Sequence, residues 1–356
     1  MKNYTNKKIK FYEAINKGLE FSLKKDKNLI VYGLGVTDPK EIFNTTKNLE
    51  KQFGKNRVFD VPNSENALTG IGIGHAMNGG RTVFTHQRLD FSFLSMDQII
   101  NNAAKIFYTS DGKFSAPITI RLIIGRGWGQ GPNHSQALQS IYSHIPGLKV
   151  VSPSACDNAY ELLIASIFDD NPVIFLEHRW LHDQLGYINT LKKVPKIKKT
   201  RKIFNGKDLT IVSNSIMTLE AIKACKILKK NSIDCDLIDL LSISPLDKNK
   251  IIKSVEKTGK LIVLDIDHGF ISLASEIISL ISTHDVKLFK KEPIKITMPN
   301  FPTPTSFGLT KNFYPNFINI LKSAEKMMNK KIKIPKKSTT ELKLHDIPYK
   351  NYMGPF

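Results

Sequence analysis

The sequence predicts an α/β protein: a doubly wound parallel sheet followed by a second, smaller α/β domain. Three observations predict it. Short apolar runs alternate with amphipathic stretches along most of the chain. The run 117–124 is a largely apolar strand, as in a parallel strand covered on both faces. The alternation is interrupted at 191–202 by Leu-Lys-Lys-Val-Pro-Lys-Ile-Lys-Lys-Thr-Arg-Lys, a charged, proline-bearing stretch suited to joining two domains.

Taken in order, residues 9–24 carry Tyr12, Ile15, Leu19 and Leu23 at helical spacing. A short apolar strand, 28–35, ends in Gly-Leu-Gly, and a looser polar segment runs to Asn56. The stretch 58–74 organises the rest. It opens apolar and β-prone, breaks at Pro62, and restarts as a glycine-spaced helix with Glu65 in its first turn. Asn63 and Ser64 are suitable N-caps, and Gly70 and Gly74, four apart, leave one helix face bare for a close approach. The strand 82–85 is tipped by His86, Gln87, Arg88 and Phe91, and 97–108 reads as a helix with Ile99, Ile100, Ala103 and Phe107 on one side. Beyond the strand 117–124 come a strand at 148–152, a helix at 158–168, and a strand at 172–177 tipped by His178, Arg179, Trp180 and His182.

The second unit repeats the alternation. It has strands at 209–212, 236–240, 261–266 and 294–298 and helices at 219–229 and 273–282. Ser244-Pro-Leu-Asp caps a further helix, with Pro245 at its first position. The expected division is a first domain at 8–185, a linker at 186–207, a second domain at 208–330 and an extended basic tail at 331–356.

Composition narrows the function. The 356 residues hold two domains' worth of core, with no apolar run long enough to span a bilayer. Cys156, Cys225 and Cys235 are odd in number and lack metal spacing, which suits reduced thiols and a cytoplasmic protein. The net charge of +20 raises a non-catalytic nucleic-acid-binding reading. Against it, the excess is 45 lysines spread along the chain beside only seven arginines, a pattern of solvated faces. Keeping a few arginines in so lysine-rich a chain suits bidentate contacts to carboxylate or phosphate. The expectation is no nucleic acid and no membrane.

Several residues carry chemistry. Glu65 stands where a parallel strand hands over to its helix, beside the crevice that open α/β sheets use for ligands. It is either a catalytic acid or a charge at a helix start. Gly70-Ile-Gly-Ile-Gly74, with Asp90 further on, departs from the dinucleotide pattern in spacing and lies inside a helix, which argues against NAD. The loop Gly125-Arg-Gly-Trp-Gly-Gln-Gly-Pro-Asn-His134 ends in a histidine that is either a pocket acid/base or a polar loop residue. His178, Arg179 and His182 crowd one strand end, where they either hold an anion or form an ordinary polar loop.

Six motifs occur in order: Asp60-Val-Pro-Asn-Ser-Glu-Asn; Phe91-Ser with Met96-Asp-Gln-Ile-Ile-Asn-Asn-Ala-Ala-Lys; His134-Ser-Gln; His144-Ile-Pro-Gly-Leu-Lys-Val-Val-Ser-Pro; Asp169-Asp-Asn-Pro-Val-Ile-Phe-Leu-Glu; and Leu240-Leu-Ser-Ile-Ser-Pro-Leu-Asp. Together they resemble the beta subunit of thiamine-diphosphate-dependent 2-oxo acid dehydrogenases (as in the first component of pyruvate dehydrogenase), in the transketolase-like superfamily. The resemblance covers about residues 8–330. It implies a transketolase-like pyrimidine-binding domain followed by a transketolase C-terminal-like domain.

The resemblance also implies roles. Glu65 would hydrogen-bond the cofactor's aminopyrimidine, Phe91 would pack on that ring, and His134 would face the reacting centre. Main-chain oxygens of Ile118, Ser166, Ile167, Asp169 and Asn171 match a potassium site of some members. The chain has no Gly-Asp-Gly magnesium-diphosphate motif. Magnesium and the diphosphate half would therefore come from an alpha subunit, in an α2β2 heterotetramer that can dock on a lipoyl acyltransferase core. The sequence departs from the family at His86-Gln-Arg-Leu-Asp, at His178-Arg-Trp-Leu-His and near Asp267-His-Gly. The extra basic residues imply a more polar or more anionic substrate than pyruvate, with Arg88, Arg179 and His178 as contacts. The alternative within enzymes is a transketolase-like carbon-ligating subunit that passes the active aldehyde to an aldehyde or sugar.

Overall fold

The computed structural model describes residues 5, 7–125 and 130–335. The centre of the glycine loop, 126–129, and most of the expected basic tail, from 336 on, lie outside the described residues. Among those described, the first sheet runs Ser242–Ser244, Lys149–Val151, Val173–His178, Ile118–Ile124, Arg81–His86, Leu29–Gly33, Val58–Phe59. Every pairing in it is parallel except that of Ser242–Ser244 with Val150 and Val151.

The strand Ile118–Ile124 shows why the sheet is wound on both faces. Ile118, Ile120, Leu122 and Ile124 join one apolar cluster, and Ile123 joins the other, the alternation a pleated strand imposes. Helix Glu65–Met77 covers the first face; helices Phe11–Lys25 and Cys156–Ile167 cover the second. Helix Phe11–Lys25 buries Phe11, Ala14, Ile15, Gly18, Leu19, Ser22 and Leu23, a single stripe at spacings of three and four. At Gly18 a Cβ would lie only 3.2 Å from Leu163 Cδ2, which is how the two helices come so close.

The second sheet runs Ile294–Met298, Leu261–His268, Leu209–Asn214, Cys235–Leu240, Thr200–Phe204, with only the last strand antiparallel. Helices Ser215–Lys230, Lys248–Thr258, Leu273–Asp285 and Phe317–Met328 pack on it. Phe317–Met328 was not expected from the sequence, although Phe317, Ile320, Leu321, Ala324 and Met327 fall on one buried face and Asn316 caps its start. No helix among the described residues is long and apolar enough to cross a membrane.

Four local expectations are corrected. Thr200–Phe204, within the expected linker, is an edge strand because its backbone pairs with Leu237–Leu240. Pro245 does not open the next helix. Ser242–Ser244 is held at the edge of the first sheet, and the helix begins at Lys248 behind Asp247, whose carboxylate accepts from Thr200 Oγ1 at 2.8 Å. The stretch 97–108 is not one α-helix. Gln98–Ala103 is a π-helix, with Ala104 N–H bonded to Ile99 O at 3.0 Å, and Phe107 on the short helix Ile106–Thr109 is 51% exposed. The close approach to helix Glu65–Met77 occurs at Gly72, where a Cβ would lie 2.3 Å from Tyr32 Oη, whereas Gly74 faces open space.

Candidate active site

Glu65 is the first residue of its helix, after a strand that pairs for only two residues and then meets Pro62. Ser64 holds the N-cap position without a side-chain cap bond. The loop before it is fixed instead by Asp60, whose Oδ1 accepts from the N–H groups of Gly35 and Val61, each at 2.8 Å. Thr69 locks the first helical turn: its hydroxyl lies 2.7 Å from Glu65 O and 2.9 Å from Ser95 Oγ. The helix that starts at Glu65 is thereby fastened to the 3₁₀ segment Leu89–Ser95, which carries Phe91. The Glu65 carboxylate is half-buried and has no protein partner among the described residues.

Phe91 and His134 come together, ring centroids 5.3 Å apart and planes at 83°. Two bonds set this pairing. Gln136 Nε2 donates to Asp90 Oδ1 at 2.6 Å, and Gly125 N–H donates to Gln136 O at 3.1 Å, closing the base of the glycine loop. Gly125 has φ +78°, and a Cβ there would lie 2.1 Å from His178 Nε2, so only glycine fits. His134 is exposed at the far end of that loop. The following helix, Gln139–Ser143, ties the loop to the second unit through Gln139 Nε2 to Asp265 Oδ1 at 2.6 Å and Ser140 N–H to Asp267 Oδ2 at 3.1 Å. Burial, reinforced by Asp267, pushes Asp265 up to about 6.

Arg88 and Arg179 are both buried and meet on one ring: their guanidinium carbons lie 5.2 Å and 4.4 Å from the centroid of Phe43. Phe43 stands in a run of left-handed residues, Glu41 to Asn44, that turns its ring between the two arginines. Arg88 Nη2 donates to Gln130 Oε1 at 2.5 Å, which joins this pair to the loop bearing His134. Beneath them Arg121 and Glu177, each 0% exposed, form an ion pair at 2.6 Å between neighbouring strands. Arg121 also donates to Thr45 Oγ1 at 3.0 Å and Thr85 Oγ1 at 3.3 Å. Burial raises the Glu177 carboxyl, with Arg121 acting against the rise.

Burial pushes His86 down to about 3 and, with Arg179 next, holds His182 well below its ordinary range. His178 accepts Trp180 N–H at Nδ1, 3.1 Å, and its ring lies against Gly125 at the base of the loop. Phe43, Arg121 with Glu177, and the Gln139–Asp265 link went unread in the sequence. A lone charge in each of two apolar strands, Arg121 and Glu177, was the one usable signal.

Two of the carbonyls expected to hold potassium are bonded within the chain: Arg81 Nη1 donates to Ile167 O at 3.2 Å and to Asp169 O at 2.9 Å.

Comparison with known proteins shows the family of the chain. Residues 7–183 match the transketolase pyrimidine-binding domain and residues 198–320 the transketolase C-terminal domain. The chain is 34% identical over 301 residues to the pyruvate dehydrogenase E1 component subunit beta of Cyanidium caldarium, covering 85% of this chain and 92% of that one. It is 35% identical over 312 residues to the 2-oxoisovalerate dehydrogenase subunit beta of Bacillus subtilis (strain 168), covering 86% and 95%. Among solved structures, a split-gene transketolase in an inactive beta4 tetramer shares the fold, with a TM-score of 0.72 at 18% identity over 90% of this chain and 98% of that one.

Proposed function

The chain belongs to the family of beta subunits of 2-oxo acid dehydrogenases, and from that premise we propose that it supplies the pyrimidine-activating half of a thiamine-diphosphate site. One observation carries the reading: an unpartnered carboxylate, Glu65, opens a helix fastened to the segment that presents Phe91 to His134. A carboxylate left without a protein partner beside a half-buried aromatic ring fits an aminopyrimidine, which needs one hydrogen-bond acceptor and one flat apolar surface.

Bound thiamine diphosphate supplies a nucleophilic carbon and an electron sink for loss of carbon dioxide from a 2-oxo acid. Glu65 would hydrogen-bond the pyrimidine nitrogen and hold the proton exchanged there. Phe91 packs on the pyrimidine. His134, exposed beside Phe91, would move a proton to or from the reacting group. Arg88 and Arg179 hold the substrate's anionic group, and His178 supports them from under the loop. The buried position of both arginines beside Phe43 supports this, since a desolvated guanidinium binds a carboxylate more strongly than an exposed one.

The missing magnesium-diphosphate motif supports an alpha subunit that holds magnesium, an α2β2 assembly with sites between chains, and a lipoyl acyltransferase core as the next partner. The free thiols Cys156, Cys225 and Cys235 support a cytoplasmic setting. The domain division 8–185 and 208–330 belongs to the same proposal.

The test is turnover of the reconstituted alpha/beta pair with 2-oxo acids and either lipoamide or aldehyde acceptors. Turnover with lipoamide is expected. Turnover only with an aldehyde would assign the chain to carbon ligation instead. Nucleic-acid binding that collapses with salt, with no response to thiamine diphosphate, would replace the enzyme reading altogether.

A further inference from the structure

The N-terminal edge of the first sheet holds a second charged site, far along the strands from Glu65 and independent of the catalytic proposal. Helix Cys156–Ile167 ends there. The last carbonyls of a helix have no partners within it and carry the negative end of its dipole, so they attract a cation. Arg81, the first residue of strand Arg81–His86, reaches this helix end from the neighbouring layer. Its Nη1 bridges Ile167 O and Asp169 O, at 3.2 Å and 2.9 Å. Its Nη2 lies 2.8 Å from Asp170 Oδ1, its Nε lies 3.8 Å from Asp26 Oδ2, and its guanidinium carbon stands 5.6 Å from the Phe168 ring centroid.

The turn that presents these carbonyls is itself closed. Asp169 accepts from Lys149 Nζ at 2.6 Å and 2.7 Å and from Asn171 N–H at 3.0 Å, so its carbonyl direction is set before any cation arrives. The Arg81 side chain is only 21% exposed. The choice of residue is informative. This chain uses 45 lysines and seven arginines. A lysine would place one point charge here, whereas the planar fork reaches two carbonyls with one nitrogen and a carboxylate with the other.

We propose that Arg81 is the resident cation of this carbonyl cradle, so that the chain needs no potassium there to fold or to assemble. Ile167 and Asp169 belong to the set that potassium would use, and both are already bonded to a group that carries the same charge permanently.

The experiment uses the full-length chain with its alpha partner, melted in potassium, sodium or choline chloride at equal ionic strength. The wild-type midpoint should be the same in all three salts, because an ion that binds the folded state raises the midpoint and one that does not bind leaves it alone. Arg81→Met should lower the midpoint by about 5 °C, and Arg81→Lys should fall between the two. A rise in the wild-type midpoint specific to potassium would overturn the proposal. So would an Arg81→Met chain as stable as wild type. If Arg81→Met does not fold, the wild-type comparison and Arg81→Lys still decide.

Discussion

Glu65→Gln separates the catalytic reading of this residue from the helix-start reading, because the structure makes its two costs so different. The carboxylate is half-buried, opens helix Glu65–Met77 and has no partner among the described residues, so glutamine forfeits only a charge at a helix N-terminus. That costs at most about 1 kcal/mol. The fastening of the helix depends on the Thr69 hydroxyl and Ser95, which the substitution leaves alone. The alpha/beta assembly should therefore form and melt almost as wild type does. Proton exchange is lost entirely, because an amide keeps the length and an acceptor but does not titrate. Turnover should fall at least about 100-fold, equivalent to about 2.7 kcal/mol in the barrier. The assay is steady-state turnover of the reconstituted pair at saturating thiamine diphosphate, with cofactor binding measured separately on the same preparation. Activity within a few-fold of wild type, in an assembled complex with cofactor bound, would refute the role given to Glu65.

Arg121→Met should destabilise the chain by about 3–5 kcal/mol in urea unfolding, because it strands Glu177 in a site with no solvent. Adding Glu177→Leu should recover most of that loss, and a double variant no better than the single would show that the pair is not the cause. Asp265 gives a pH dependence. Its folded value, about 6, lies above the ordinary 3.8, so the folded state holds the proton more tightly than the unfolded chain between these values. Stability contributed by this group is complete below about pH 4 and is lost as pH rises through 6, by up to about 3 kcal/mol. Asp265→Asn should accordingly stabilise the protein at about pH 7.5 and have little effect at about pH 4, as read from urea midpoints; equal effects at both would refute it. Arg88→Met or Arg179→Met should raise the KM for the 2-oxo acid while cofactor binding is unchanged, and an unchanged KM in both variants would return them to structural roles.

What the sequence determined by itself was what depends on neighbours along the chain. The apolar run at 117–124, the break at Pro62 and the helix start at Glu65 are local facts of composition, sterics and hydrogen bonding, so the alternation of strands and helices and the place of Glu65 at a helix start were readable. Phe91 and His134 were readable as separate candidates, but not their contact. That depends on Gly125 and Gln136 closing a loop and on Gln136 reaching Asp90. Helix periodicity over 97–108 did not reveal the π-helical turn, because the departure lies in a backbone bond, Ala104 N–H to Ile99 O, rather than in the spacing of apolar residues.

Tertiary structure decided the rest, for the reason that burial and charge pairing join residues far apart in sequence. Ser242–Ser244 pairs with the other unit's sheet because Val150 and Val151 leave an edge to cover. Gly72, not Gly70 or Gly74, meets the sheet because Tyr32 lies beneath it. Burial lowers His86 and, with Arg179 next, His182, an effect no local pattern encodes. Arg81 reads in sequence as an ordinary strand residue. Its meaning comes only from the helix end 86 residues away, whose open carbonyl at Ile167 it fills.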